Sequence, residues 1–280
     1  MSRLLSADFA KLKKNKFFWI CIIGMFLFGI FMAVMNYIST QQYENYEPQI
    51  INILFVYALT VAILIPAFVS LFVGTEYSDG TIRNKMIIGH TRTCIYLSNL
   101  IVSSTAGLGF CISYIVGVIV AGLPLYTIDT GILEGTVILV LCSFFMSIAF
   151  TALCVLTAML CQNKALTVVI NILTAFCLLV ISLYITSRLS QPEVYPGFGL
   201  NTETGKVEMA EDVPNPSYLR GTEREVYQFF NDFIPTGQAV NITQAGGTAQ
   251  SPGLLAAYPA SIIIVSTGVG MFVFKKKDIK

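Results

Sequence analysis

The sequence predicts an all-α integral membrane protein with six transmembrane helices, and two observations support this prediction. The 280 residues are 55% hydrophobic and only 12% charged, whereas a soluble domain carries about 25% charged residues. The apolar residues also form blocks that reach the roughly 20 helical residues needed to cross a hydrocarbon core. The six blocks cover residues 17–38, 51–73, 95–122, 132–161, 165–186 and 254–274.

The basic residues predict the orientation of these spans. Lysine and arginine near the ends of spans are retained in cytoplasmic loops. If both termini are cytoplasmic, 13 of the 17 basic residues lie on the cytoplasmic side. The other four then lie in the long outer segment 187–252, and the two short outer loops have none. We therefore expect a multi-pass protein, embedded in the lipid bilayer, with both termini in the cytoplasm.

Residues 2–16 predict a short amphipathic helix before the first span. One side carries four apolar residues, although Asp8 interrupts that side. These four residues are Leu4, Leu5, Phe9 and Leu12. A basic amphipathic helix of this kind commonly lies in the plane of the membrane interface. The alternative is a charged anchor that sets topology and has no further role.

The outer segment 187–252 divides into two halves. The first half, through Pro216, has no regular pattern and is expected to be irregular. The second half predicts a helix, with Thr222 as N-cap and Glu225 completing a capping box, and with Pro235 ending it. An apolar stripe follows at helical spacing: Val226, Phe229, Phe230 and Phe233. The outer ends of the spans, the lipid interface or a partner must cover this stripe, and packing within the chain is the default expectation.

Several classes of function have no support in the sequence. The one histidine, His90, lies in a loop, so a His-dependent intramembrane protease is excluded. No GxxxxGK[ST] phosphate loop is present. Neither a basic aromatic surface for nucleic acid nor a CxxC pair is present. The cores of the spans contain no charged residue, which argues against a proton-driven carrier. We expect no catalytic residue, metal ion or cofactor.

The cytoplasmic loop between spans two and three, 74–94, has the most distinctive pattern. Asp79-Gly80 marks a turn, and a short helix is expected from Thr81. Glu76 and Arg92 flank the loop and are predicted to brace it against the spans. A short helix held under the membrane suits docking on a cytoplasmic protein. On pattern alone, an ordinary cytoplasmic loop remains the alternative.

Four segments, taken in order, carry a family resemblance. They are the opening 4–19, the Glu76-x-x-x-Gly80-Thr81 motif followed by Arg92, the Pro235-x-Gly237-Gln238 motif, and the close 272–279. Together with six spans, this order resembles the permease subunits of ABC exporters of the second type. That family includes exporters of polysaccharides, drugs and antimicrobial peptides in bacterial cytoplasmic membranes.

The resemblance implies specific partners and roles. The chain would pair with a second permease, as a homodimer or heterodimer, and would engage a separate ATP-binding subunit. Residues 2–16 would form the connecting helix, and the helices between spans five and six would cap the extracellular side. The residues expected to form the coupling interface are Glu76, Asp79, Gly80, Thr81, Arg83, Met86 and Arg92.

Two other functions stay open at this point. One is a membrane sensor or immunity protein that acts through its extracellular segment and transports nothing. The other is a sodium-coupled carrier, since backbone carbonyls can bind sodium without a buried charge. The sequence leaves the substrate open among drugs, antimicrobial peptides and lipid-linked molecules.

Overall fold

The computed structural model describes residues 1–42, 49–127, 131, 133–200, 207–247 and 251–277, and these residues are mainly helical. The helices are α1 (Ser2–Lys14), α2 (Lys16–Thr40), α3 (Ile51–Leu54), α4 (Tyr57–Ser78), α5 (Thr81–Ile87), α6 (Arg92–Gly122), α7 (Leu133–Cys161), α8 (Lys164–Leu189), α9 (Gly221–Phe233), α10 (Pro235–Gln244) and α11 (Pro252–Lys276). The strands are β1 (Val194–Leu200) and β2 (Val207–Pro214).

Six helical segments are long and apolar enough to cross a membrane, which confirms the predicted fold class. They are α2, α3 with α4, α6, α7, α8 and α11. Each contains one predicted apolar block, except that residue 132 of the fourth block lies outside the described residues, and the helices extend beyond most of the blocks. The largest extension is at the end of α4, which continues to Ser78 and so includes Glu76.

The spans differ in how much of their surface the chain itself covers. In the most apolar 18 residues of each span, 67% are buried in the span formed by α3 and α4, but only 22% are buried in α2 and in α8. The second span is therefore central, and α2 and α8 are peripheral. Helix α1 and the end of α11, the described segments next to the two termini, lie at one end of the bundle, together with α5 and the start of α6. We call this end the termini end and the opposite one the distal end.

Small residues allow the helices α2 and α6 to approach closely. A Cβ at Gly29 would overlap the Tyr114 carbonyl, and a Cβ at Gly117 would overlap the Phe26 carbonyl. Ser113 Oγ also donates to the Ile22 carbonyl at 2.7 Å. Backbone contact of this kind is how helices associate where lipid provides no hydrophobic driving force.

The first half of the outer segment differs from the prediction of irregular structure. Strands β1 and β2 pair antiparallel, with a register shift between Tyr195 and Gly197. The strands contain prolines, glycines and acidic residues, which are depleted in strands and hid the pattern. The pairing follows from the proximity of two segments rather than from strong strand propensity in either one.

The second half forms two helices, α9 and α10. The capping-box prediction was wrong, because α9 begins at Gly221 with Arg220 as N-cap and no side-chain cap is formed within the described residues. Gly221 has φ +56° and turns the chain there. Pro235 separates α9 from α10, as predicted. Helix α10 is largely buried among α4, α7 and α8, so it closes the distal end of the bundle.

Candidate functional site

The termini end of the bundle contains the loop that the sequence singled out. Helix α4 runs to Ser78, Gly80 turns the chain with φ +66°, and α5 follows from Thr81. A second glycine, Gly89, has φ +98° after α5. Glycine adopts this left-handed conformation without a side-chain clash. Thr91 then caps α6 by accepting from Cys94 N at 3.3 Å. The loop is thus a short helix between two glycine turns.

A buried ion pair fixes α5 against two other helices. Lys85 Nζ, on α5, donates to Glu76 Oε1 at 2.8 Å and to Oε2 at 2.9 Å. The same nitrogen lies 2.8 Å from Asp8 Oδ1, on α1. Glu76 is 0% exposed, Asp8 2% and Lys85 7%. One lysine therefore joins the buried carboxylates of α1 and α4.

Further contacts complete this cluster of charged and polar groups. Lys11 Nζ lies 3.1 Å from Glu76 Oε1, and Asn99 Nδ2 donates to Glu76 Oε2 at 3.0 Å. Ser98 Oγ donates to Asp8 Oδ2 at 2.6 Å. Ser98 and Asn99 are both on α6. We call Asp8, Lys11, Glu76, Lys85, Ser98 and Asn99 the ionic cluster.

The ionic cluster balances its charges. Two carboxylates face two ammonium groups, so no net charge is left inside. A buried charge is tolerated only when it is paired and hydrogen-bonded, and removing one partner strands the others. Because the cluster draws its members from α1, α4, α5 and α6, these four helices are tied to one another at a single point.

Glu76 and Arg92, which were predicted to brace the loop against the spans, have different partners. Glu76 pairs with Lys85 and Lys11. Arg92 turns instead to the end of α11, where its Nη1 donates to the carbonyls of Phe274 at 3.1 Å and Lys275 at 3.2 Å, and also to that of Lys277. The last carbonyls of a helix have no partner within the helix, and a guanidinium is suited to bind several of them. Arg92 therefore anchors the end of the sixth span.

The other predicted coupling residues lie on or beside α5. Met86 is partly buried against the core, and Thr81 is partly exposed. Asp79 and Arg83 are exposed. The structure thus brings only Glu76 of the predicted set into the ionic cluster, while Gly80 provides the turn before α5.

Sequence reasoning missed every member of the ionic cluster except Glu76, and it also missed two exposed apolar residues at the end of α5. Asp8 was treated as a defect in an apolar stripe, although it is an inward-facing partner of Lys85. A lone acid on the apolar side of a helix was the signal that could have revealed it. Ile87 and Ile88, at the end of α5, are 75% and 76% exposed. They give the outward side of α5 an apolar surface.

The apolar side of α1 packs mainly on the bundle. Leu4 and Leu12 are buried, and Leu5 and Phe9 are partly buried against the core. Helix α1 contacts α6. Asn15 follows α1, and its Oδ1 caps α2 by accepting from Phe18 N at 3.2 Å. Helix α1 is therefore docked on the protein as well as placed beside the first span.

The apolar stripe of α9 is not fully covered by the chain. Val226 is 46% exposed, and Phe229 and Phe230 are each 47% exposed. Phe229 and Phe233 pack against the Tyr258 ring at 5.8 Å between centroids. The default expectation of packing within the chain therefore holds for only part of the stripe, because only one side of α9 faces α11.

Comparison with known protein families gives a match. Residues 4–181 match the family model described as ABC-2 family transporter protein. The matched range is more than half of the chain and includes α1, the loop with α5 and most of the first five spans. No curated protein matches the chain.

Proposed function

We propose, since this chain belongs to the ABC-2 transporter family, that it is the permease subunit of an ATP-driven exporter. The family places it as a membrane component of an ABC transporter. The finer proposal is that a separate ATP-binding subunit hydrolyses ATP and drives the outward movement of a substrate. The permease itself then carries out no covalent chemistry.

The observation that supports this proposal most strongly is the two-sided character of α5. Its inward side holds Lys85 in the ionic cluster, and its outward side exposes Arg83, Ile87 and Ile88. Exposed apolar residues with a basic neighbour are suited to bind another protein. We propose that α5 is the coupling helix and that the ATP-binding subunit covers its outward side.

The ionic cluster gives a path for movement from the partner to the spans. A displacement of α5 must carry α1, α4 and α6 with it or separate buried charges. Separation is costly, because it leaves charged groups unpaired in a low-dielectric environment. ATP binding shifts the permease between two states only if the partner binds those states with different affinity. The proposal places that difference at the outward side of α5, with α1 as the connecting helix.

The proposed orientation puts the termini end in the cytoplasm of a bacterial cell. The excess of basic residues at that end supports this placement. The outer segment, with β1, β2, α9 and α10, then faces the exterior. A protease added to intact cells should leave a C-terminal tag uncut, and cleavage there would overturn the orientation.

We also propose that a second permease subunit pairs with this one. Helices α2 and α8 have the least buried apolar windows of the six spans. Either helix can present a flat apolar side to a second copy or to a related chain. Lipid covers whatever area the partner leaves free.

The test is copurification of an ATPase. Tagged protein from native membranes, extracted in mild detergent, is expected to bring down a soluble ATPase and a second permease chain. Mass photometry of the eluate counts the subunits. The double variant Ile87→Asp, Ile88→Asp should lose the ATPase and still insert in the membrane. Its control is Leu123→Asp, a single change from an aliphatic residue to aspartate at a position 57% exposed at the distal end.

Gly80→Val tests coupling rather than binding. The φ of +66° at Gly80 is strained for a β-branched residue, so α5 should turn away from its position. ATPase stimulation is expected to fall while membrane insertion stays normal. Normal stimulation would contradict the coupling role. An eluate with no ATPase would favour the sensor or immunity alternative.

A further inference from the structure

A cavity at the distal end lies outside the coupling machinery. It measures about 550 Å³ and lies between the first turns of α7, the end of α8, the helices α9 and α10, and the start of α11. Six polar residues line one part of it: Gln228, Asn231, Asp232, Asn241, Gln244 and Ser251. Drug-sized ligands occupy pockets of about 300–1,000 Å³. The cavity is therefore large enough for a small organic molecule and far larger than a metal ion requires.

The polar groups around Asp232 are already oriented. Thr186 Oγ1 donates to Asn231 Oδ1 at 3.1 Å, and Asn231 Nδ2 donates to Asn241 Oδ1 at 2.8 Å. Asn241 Nδ2 then donates to Asp232 Oδ1 at 3.0 Å. This chain of hydrogen bonds runs in one direction and ends on the carboxylate. Its effect is to hold Asp232 in a fixed position at the cavity wall.

Asp232 forms no ion pair within the described residues. The four ion pairs found there involve Asp8, Glu76 and Glu193, and none involves Asp232. Burial raises the pKa of the Asp232 carboxyl, which is the effect of partial desolvation without a cationic partner. A cation that enters the cavity would supply the missing partner.

The rest of the wall is apolar. Leu139, Leu189, Ile242, Leu254 and Leu255 line it. One carboxylate with carboxamides and aliphatic side chains is a poor set for a divalent metal ion, which prefers several carboxylate or carbonyl oxygens. The same set matches an ammonium group joined to an apolar body, with the charge at Asp232 and the body along the leucines.

We propose that this cavity binds an organic cation, an amine whose ammonium group pairs with Asp232 and whose hydrocarbon part lies against the aliphatic wall. Binding at this site does not depend on transport. The second part of the proposal is that this amine is the exported substrate, and that part rests on the proposed function. In export, a substrate would reach the distal end of the bundle last, and the cavity lies at that end.

The experiment measures binding by the purified permease alone, in nanodiscs of phosphatidylcholine that give the probe no anionic lipid. The probe is dansylcadaverine, in which a primary ammonium is joined by a five-carbon chain to an aromatic fluorophore. Its N-acetylated form is the neutral match. We expect saturable fluorescence enhancement with the amine and at least about tenfold weaker binding of the acetylated form, the effect of one charge-assisted hydrogen bond.

Two variants locate the site. Asp232→Asn keeps an oxygen for the Asn241 hydrogen bond and removes the charge, so binding should fall about tenfold or more. Asp212→Asn, an exposed acid of β2, is the matched control and should bind as the unaltered chain does. Gln228→Trp, at an exposed position of the cavity wall, narrows the space and should also weaken binding. It keeps the test valid if Asp232→Asn fails to fold.

Three results would overturn the proposal. The first is equal binding of the amine and its acetylated form, which would mean partition into lipid. The second is binding by Asp232→Asn that equals binding by Asp212→Asn. The third is displacement of the probe by micromolar calcium, which would identify a metal site. Because no ATPase is present, each of these results leaves the test of the export function unaffected.

Discussion

Replacing Lys85 with methionine should destabilise the permease more than any loss of an exposed charge. Lys85 is 7% exposed and joins two carboxylates that are 0% and 2% exposed, Glu76 and Asp8. Methionine fills much of the same volume but leaves the cluster with one uncompensated negative charge. Breaking a buried ion pair by removing one partner costs about 3–5 kcal/mol. We therefore expect Lys85→Met to lower the free energy of unfolding by about 3–5 kcal/mol.

The matched comparison is Glu193→Gln. Glu193 pairs with Arg220 at 3.1 Å, but their side chains are 59% and 66% exposed. An exposed pair contributes about 0–1 kcal/mol. Each variant therefore removes one charge, but Lys85→Met breaks two buried ion pairs and Glu193→Gln breaks one exposed pair.

The assay is thermal unfolding in nanodiscs, followed by the fluorescence of Trp19. This is the one tryptophan of the chain, and its Nε1 donates to the Lys13 carbonyl at 2.8 Å, where α1 meets α2. It reports directly on the undocking of α1. Equal midpoints for Lys85→Met and Glu193→Gln would refute the reasoning, since burial would then make no difference to the pair.

Two further predictions concern packing between spans. Gly117→Leu should lower the free energy of unfolding by about 1–3 kcal/mol or more, because the added side chain forces α6 away from the Phe26 carbonyl. Gly24→Leu is the control, since Gly24 has open space around it and the unfolding midpoint should stay nearly unchanged. Arg92→Gln should lower the free energy of unfolding by about 1–3 kcal/mol, because charge-assisted hydrogen bonds to the end of α11 are lost. Amide hydrogen exchange in the last turn of α11 should become faster for the same reason. Arg83→Gln, at an exposed site, is its control, and unchanged exchange in Arg92→Gln would contradict the anchoring role.

The spans were predictable because their signal is local. A hydrocarbon core demands about 20 apolar residues in a row, and the sequence either supplies them or does not. Helix α5 was predictable for a similar reason, since Gly80 marks its start and Gly89 its end. Pro235 was equally clear as a break between two helices.

The ionic cluster could not be predicted, because its members are distant in sequence. Lys85 and Asp8 are 77 positions apart, and no pattern near either residue names the other. The sequence placed Glu76 and Arg92 at the two ends of the loop, but it did not show that Glu76 pairs with Lys85 and Lys11 or that Arg92 binds the end of α11. The pairing of β1 with β2 was missed for the same reason, since two segments of weak strand propensity pair only once the fold brings them together.

Stability alone does not explain why α5 is held by charges. An apolar replacement of a buried ion pair is often as stable or more so, and the surrounding helices are rich in apolar residues. Charges do add direction, because Lys85 must face Asp8 and Glu76 together and cannot slide along α1 or α4 without losing one of them. Meanwhile Ile87 and Ile88 face outward, the reverse of what a helix at the edge of a finished protein would show. A helix fixed in register on one side and apolar on the other fits a part that another protein covers and moves.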